Sequence, residues 1–178
     1  LVGPSGDPAD AGSATAAPAA FDRIAERGER FLSRGDDSGT HARERRIWAA
    51  SDREPRGEWY GETGSSMGET LRIAGSVGAY TLVDRGTFLA RRAATDLAPA
   101  FVSGLASPSA LLRNVYSVLR APPDRVDDAR VAAGRALVGA LAGDPGREAV
   151  RAFRAGGERA YRPMEGTDSS DRPRSVDP

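Results

Sequence analysis

Two short stretches carry side chains that could do chemistry: "SRGDDSGTH" at residues 33–41 and "GETGSSMGET" at residues 61–70. Each sets Ser, Gly and Thr where a strand or loop gives way to a helical pattern. The first amides of a helix point outward with no intrahelical partner, and the positive end of the helix dipole lies beside them. Together they attract anions. Arg34 adds a guanidinium that stays charged at physiological pH and can hold two oxyanion oxygens at once. The same residue types also suit purely structural work. Asp36, Asp37, Ser38 and Thr40 can all cap a helix, and two aspartates facing inward would repel an anion. Ser38, His41 and Asp37 contain the residue types of a hydrolytic triad, but they crowd into one turn and no G-x-S-x-G elbow occurs. The Arg-Gly-Asp run at 34–36 arises easily in a chain rich in all three residues.

Composition narrows the choice of partners. With 25 basic and 25 acidic residues the net charge is zero, which disfavours nucleic acid as a partner. A small anion needs only local charge. Every basic residue is arginine, scattered along the chain. Without cysteine, thiol catalysis, disulfides and cysteine-ligated metals are excluded, and the single His41 cannot build a multi-histidine metal site. We therefore expect no metal and no cofactor. No apolar run is long enough to cross a bilayer and no signal peptide is visible. The opening "LVGP" reads as the end of a strand, so this says little about targeting.

The chain's 178 residues suit one domain, or one and a fraction, and 21 Gly with 12 Pro predict many turns. "AAFDRIAERG" puts Phe21, Ile24 and Ala25 on one helical face and stops at a glycine. "RFLSR" predicts a strand, and residues 40–50 a second helix. Residues 51–66 read as a loop with exposed Trp59 and Tyr60. A helix over "MGETLRIAGSVG", a strand "AYTLV" and a helix "DRGTFLARRA" capped by Asp84 follow. Strands are predicted at "LAPAFVSG" and "NVYSVLR", and helices at "RVDDARVAAGRALVGALAG" and "GREAVRAFRAGG". The polar tail "MEGTDSSDRPRSVDP" reads as disordered. Strands alternating with helices imply an α/β sheet, with ligands at the carboxyl ends of its strands.

In order, "FLSRGDDSGTHARERRIW", "PRGEWY", "SSMGETLRIAGSVGAYTLVDRGTFLA" and "LLRNVYSVLR" resemble the extracytoplasmic tungstate-binding proteins of ABC transporters. The resemblance runs over residues 1–164 and implies an α/β, periplasmic-binding-protein type II fold, in which two lobes joined by two crossing strands close on a tetrahedral oxyanion. It places residues 1–4 at the end of the first crossing strand and 5–110 in lobe II, the anion-binding lobe. Residues 111–120 become the return strand, 121–164 the helices of an incomplete lobe I, and 165–178 a tail. One complete lobe plus the C-terminal helices of the other is thus expected.

Carried over residue by residue, the resemblance makes Arg34 the clamp on the oxyanion. Ser38, Gly39 and Thr40 supply donors at one helix start, Ser66, Met67 and Gly68 at the other, and Thr81 a cleft contact. Ser65-Ser66 departs from the family, which commonly has a glycine there. The Thr/Ser-rich anion motif of the family's first lobe does not occur in these residues, so they would supply one side's donors and bind weakly alone. Leu137, Val138, Leu141, Val150 and Phe153 are then expected to be exposed. The implied role is the substrate-binding component of an importer, a periplasmic or extracellular membrane-associated monomer that delivers tungstate to an ABC permease without catalysis. Binding of molybdate or another oxyanion, or sensing of one within a regulator, is the alternative.

Overall fold

The computed structural model describes residues 1–103 and 109–164; the predicted tail from 165 onward lies outside the described residues. The chain divides into two compact units, residues 1–117 with 154–160, and residues 118–153 with the segment from 161.

The first unit is α/β. Its strands are β1 (Val2–Pro4), β2 (Phe31–Ser33), β3 (Tyr60–Glu62) and β4 (Leu97–Pro99). Its helices are α1 (Ala17–Arg27), α2 (Gly39–Ala49), α3 (Met67–Val77) and α4 (Arg85–Arg91). β1 pairs antiparallel with β4, and β2 pairs parallel with β3. Residues 80–81 stitch the two pairs together, Tyr80 bridging Phe31 in parallel and Thr81 bridging Val2 antiparallel. The order across the layer is therefore β3, β2, residues 80–81, β1, β4. "AYTLV" forms this bridge and no longer strand.

Side chains alternate across the layer as the pleat requires. Phe31, Tyr80 and Leu82 face one core with Phe21, Ile24, Ile47 and Trp48 of α1 and α2. Val2 and Leu32 face the other, with Leu71, Ala74, Phe88 and Leu89 of α3 and α4. Each helix shows its apolar stripe and its stop. In α1, Ala17, Ala20, Phe21 and Ile24 are buried and Gly28 closes the helix in the left-handed region at φ 65°. The Asp84 carboxylate caps α4, accepting from Thr87 N at 2.8 Å.

Several sequence expectations are corrected. The segment 51–66 is not wholly loop: residues 60–62 form β3, because β2 offers a free parallel edge. Trp59 and Tyr60 are half-buried, not exposed, since they close an aromatic cluster with Trp48 and Phe31. No strand forms over 114–120; an alternating pattern favours extended backbone, but a ladder also needs a partner edge. The last predicted helix stops early. Gly156 and Gly157, at φ 53° and 82°, turn the chain into a hairpin of β5 (Arg154–Ala155) and β6 (Glu158–Arg159). Glu158 of that hairpin holds Arg85 at 2.8 Å and Arg92 at 2.5 Å.

The second unit contains α5 (Asp128–Ala142) and α6 (Asp144–Ala152). Neither helix has a buried residue. Leu137, Leu141 and Phe153 are exposed, whereas Val138 and Val150 are half-buried. An apolar groove runs between Val118, Leu119 and Val126 and the α5 residues Val131, Leu137 and Val138.

A polar knot sits inside the first core. Glu44 of α2 is 1% exposed, and its carboxyl accepts from the Tyr60 hydroxyl at 3.0 Å. Burial raises the Glu44 pKa, opposed by hydrogen bonds from Ser33 and Tyr60. The Tyr60 phenol is pushed up as well, chiefly by burial. The indole N–H of Trp48 beside them completes no hydrogen bond among the described residues.

Two outcomes are expected. Phe31→Ala, which empties the ring at the centre of the aromatic cluster, destabilises the protein by about 3–5 kcal/mol in urea unfolding. Glu44 keeps its proton to a higher pH when folded than when unfolded, so its contribution to stability declines as pH rises above the ordinary carboxyl value of 4.5. Melting-temperature scans should therefore show Glu44→Gln gaining on the wild type as the pH is raised; an offset that does not change with pH would contradict the shift.

Candidate anion-binding site

Parallel pairing brings the carboxyl ends of β2, β3 and residues 80–81 to one edge of the layer. The chain leaves β2 towards β3 on one side, and leaves residues 80–81 towards β4 on the other. This reversal of direction opens a crevice at the strand ends, where α/β sheets hold ligands. The loop from β2 into α2 carries Arg34, and the loop from β3 into α3 carries Ser65 and Ser66.

Arg34 ties these loops together. Its Nε donates to the Ser65 carbonyl at 3.4 Å, and its Nη2 pairs with Asp36 Oδ2. The side chain is 14% exposed, so it lies in the crevice edge and not in bulk solvent. Among the described residues its Nη1 takes no partner. Asp36 also accepts from Ser38 N at 3.2 Å. Its pKa is lowered, first by hydrogen bonds from the Ser38 side chain and amide and then by Arg34, which favours the ionised form that pairs with the guanidinium. Asp37, at φ 56°, turns its carboxylate outward to 93% exposure. The two aspartates therefore split their roles, one holding Arg34 and one facing water.

The helix starts divide their donors in the same way. The Ser38 hydroxyl accepts from His41 N at 3.3 Å, and the Ser66 hydroxyl accepts from Glu69 N at 3.4 Å. Both hydroxyl oxygens accept as caps, which leaves each hydroxyl proton to donate, and Ser38 N is spent on Asp36. The amides of Gly39, Thr40, Ser66, Met67 and Gly68 take no partner among the described residues. Thr81 is not joined to this group by any recorded bond. It is buried, and its amide and carbonyl pair with Val2 at 3.0 Å each.

No triad assembles at the first turn. Asp37 N donates to His41 Nδ1 at 3.1 Å, and His41 Nε2 faces Glu62 at 3.8 Å, so the ring is directed away from the Ser38 hydroxyl.

Supporting residues outside the predicted set complete the edge. Thr63 N and Thr63 Oγ1 both donate to the Ser33 carbonyl, at 3.0 and 3.2 Å. The Thr63 and Thr70 hydroxyls meet at 2.8 Å, linking β3 to α3. Gly35 turns at φ 58°, and a Cβ there would lie 2.7 Å from Glu62 Cβ. A Cβ on Gly68 would lie 2.7 Å from Arg91 Nε, so a second guanidinium lies over the start of α3. The pairing of Gly68 with Arg91 has no local sequence signal, because it joins the first turn of one helix to the last turn of another. Glu44 had one: it lies three residues after His41, on the same helical face. Among the described residues no group of acidic and histidine side chains could hold a metal ion, and no helix is long and apolar enough to cross a membrane.

No protein-family model matches the chain. A Haloferax volcanii protein named for anion binding in an ABC transporter is 40% identical over 163 residues, covering 92% of this chain and 48% of that protein. The tungstate-binding protein TupA of Peptoclostridium acidaminophilum is 33% identical over 139 residues, covering 77% of this chain and 47% of its own length. The solved tungstate ABC transporter structure from Geobacter sulfurreducens superimposes with a TM-score of 0.64 at 33% identity, over 82% of this chain and 60% of that one. The chain spans about half the length of the curated relatives it matches. It has the periplasmic-binding-protein type II fold and is similar over most of its length to ABC-transporter anion-binding proteins, tungstate binders among them.

Proposed function

We propose that these residues capture tungstate for an ABC importer, as the lobe of a substrate-binding protein that presents Arg34 and two helix starts to the oxyanion. The observation that carries this reading is the single Arg34 side chain reaching Ser65, which draws the start of α2 and the start of α3 to one crevice. Partnerless amides at Gly39, Thr40, Ser66, Met67 and Gly68 supply hydrogen bonds along the positive ends of two helix dipoles. The ionised Asp36 holds the guanidinium still, which removes part of the entropic cost of clamping a ligand. Thr81 contributes from the central segment. Residues 5–110 act as the anion-binding lobe, and α5 and α6 as helices of the other lobe.

The relatives' names motivate the choice of tungstate among tetrahedral oxyanions. Molybdate and sulfate carry the same charge near neutral pH, so discrimination rests on cavity size and donor placement. The protein works outside the cytoplasm as a monomer that docks on a membrane permease, and it performs no bond-making chemistry.

The test is an NMR titration with sodium tungstate, with molybdate and sulfate as competitors, because amide shifts report weak binding as well as tight binding. Saturable shifts at residues 38–41 and 66–69 are expected. Arg34→Ala removes charge-assisted bonds of about 1.5–3 kcal/mol each, so binding should weaken roughly 10- to 100-fold per bond lost. A protein whose amides do not respond to tungstate, or an Arg34→Ala variant that binds as the wild type does, would overturn the reading.

A further inference from the structure

We infer that His41 is a positioning residue for the anion site: its unprotonated Nδ1 holds the Asp37 turn, and with it the start of α2, in the shape that offers donors to an anion. The inference rests on the proposed anion-binding role.

The path from Arg34 to α2 makes two unusual bends. Gly35 and Asp37 both take left-handed backbone, at φ 58° and 56°, on either side of the Asp36 that pairs with Arg34. Glycine adopts that conformation freely, whereas Asp37 carries a Cβ and needs a compensating contact. One recorded bond supplies it: Asp37 N donates to His41 Nδ1 at 3.1 Å. The imidazole is 8% exposed, and the His41 backbone N–H donates to the Ser38 hydroxyl at 3.3 Å. His41 therefore grips the loop twice, by its ring at Asp37 and by its amide at Ser38. Asp36 Oδ1 takes Ser38 N at 3.2 Å. With the amides of Asp37 and Ser38 engaged in this way, Gly39 and Thr40 are the next in the run to face a ligand.

An imidazole nitrogen accepts only while it carries no proton. The bond from Asp37 N thus selects the neutral tautomer with its hydrogen on Nε2, the nitrogen that faces Glu62 Oε1 at 3.8 Å. The charged groups recorded against the ring are carboxyls: Asp37 Oδ1 at 3.8 Å from Nδ1, Glu62 from β3 and Glu44 from the same helix. A second proton, on Nδ1, sets two N–H groups against each other and gives the ring a donor for the Asp37 carboxylate in place of an acceptor for its amide. Asp37 then loses the bond that holds its backbone. Its neighbours are Asp36, which orients Arg34, and Ser38, which starts the helix, so both are disturbed. The added charge by itself would attract an anion. The two effects have opposite signs, and an affinity measurement separates them.

The test follows tungstate affinity by the same NMR titration in the wild type, His41→Asn and His41→Phe, at a temperature where each is folded. The pH is lowered through the His41 transition, located by the ring nitrogen shifts. Asn keeps an acceptor on Cγ and does not titrate there, whereas Phe keeps the ring without an acceptor. Taking the ratio to His41→Asn at each pH cancels the acid chemistry of the oxyanion itself. Wild-type binding should weaken about three- to tenfold as the second proton arrives, the loss expected for one hydrogen bond. His41→Phe should show that loss at every pH, and His41→Asn should restore affinity relative to it without a step at the transition. Unchanged or tighter binding by the protonated wild type, or wild-type affinity in His41→Phe above the transition, would overturn the inference and leave the tungstate reading intact. Absence of tungstate binding in the wild type would overturn both. Should a variant fail to fold, the ligand-free wild type decides. A neutral ring with its proton on Nδ1, or amides at 37–40 that ignore the His41 transition, rejects the inference; a proton on Nε2 with amides that move at the transition supports it.

Discussion

Parallel pairing of β2 with β3 and with residues 80–81 is the constraint on which the molecule depends. Strands that run the same way must each return over a face of the layer, so α2, α3 and α4 all begin at one edge. Helix dipoles and unsatisfied amides that would be unremarkable singly are thereby collected in one place. The crossovers also divide the core, with α1 and α2 on one face and α3 and α4 on the other. One strand slip in this layer would exchange those faces and scatter the helix starts.

Electrostatics at the edge is a compromise. Arg34 brings a permanent positive charge, but Asp36 lies against it and Asp37 and Glu62 flank His41 in the next turn. The structure handles this by assigning the carboxylates different directions, Asp36 onto Arg34, Asp37 to solvent and Glu62 beside His41. In the proposed site, a ligand would meet this oriented guanidinium and backbone donors that carry no formal charge. Such donors do not relax when an anion arrives, which is how a protein competes with water for a strongly hydrated ion.

The crevice edge is braced from below by hydroxyls. Ser33, Thr63 and Thr70 join the ends of β2 and β3 to the first turn of α3, and Tyr60 links this layer to the aromatic cluster. The aromatic rings supply the rigidity: Phe31 sits 5.2 Å from Phe21 and 5.3 Å from Trp48, and stacks on Tyr60 at 5.9 Å. Packing and polar contacts therefore meet at β2, where Phe31 and Ser33 share one face and Leu32 takes the other.

Much of this was legible in the chain itself because local rules govern it. Helical spacing located α1, α2 and α3, Ser38, Ser66 and Asp84 marked helix starts, and the Arg34 loop stood out by residue type. The extent of β3, the hairpin at Gly156 and Gly157, and the absence of a strand over 114–120 were not legible in that way, since a strand exists only where two edges pair. Nor could spacing tell that the Ser38 and Ser66 hydroxyl oxygens accept as caps while their neighbours' amides stay open, or that Asp36 and Asp37 face different ways. Local propensity is encoded residue by residue, whereas direction, pairing and burial are decided when distant segments meet. The types and order of the candidate-site residues were thus determined by sequence, and the contact of Arg34 with Ser65, across a span of 31 positions, only by the fold.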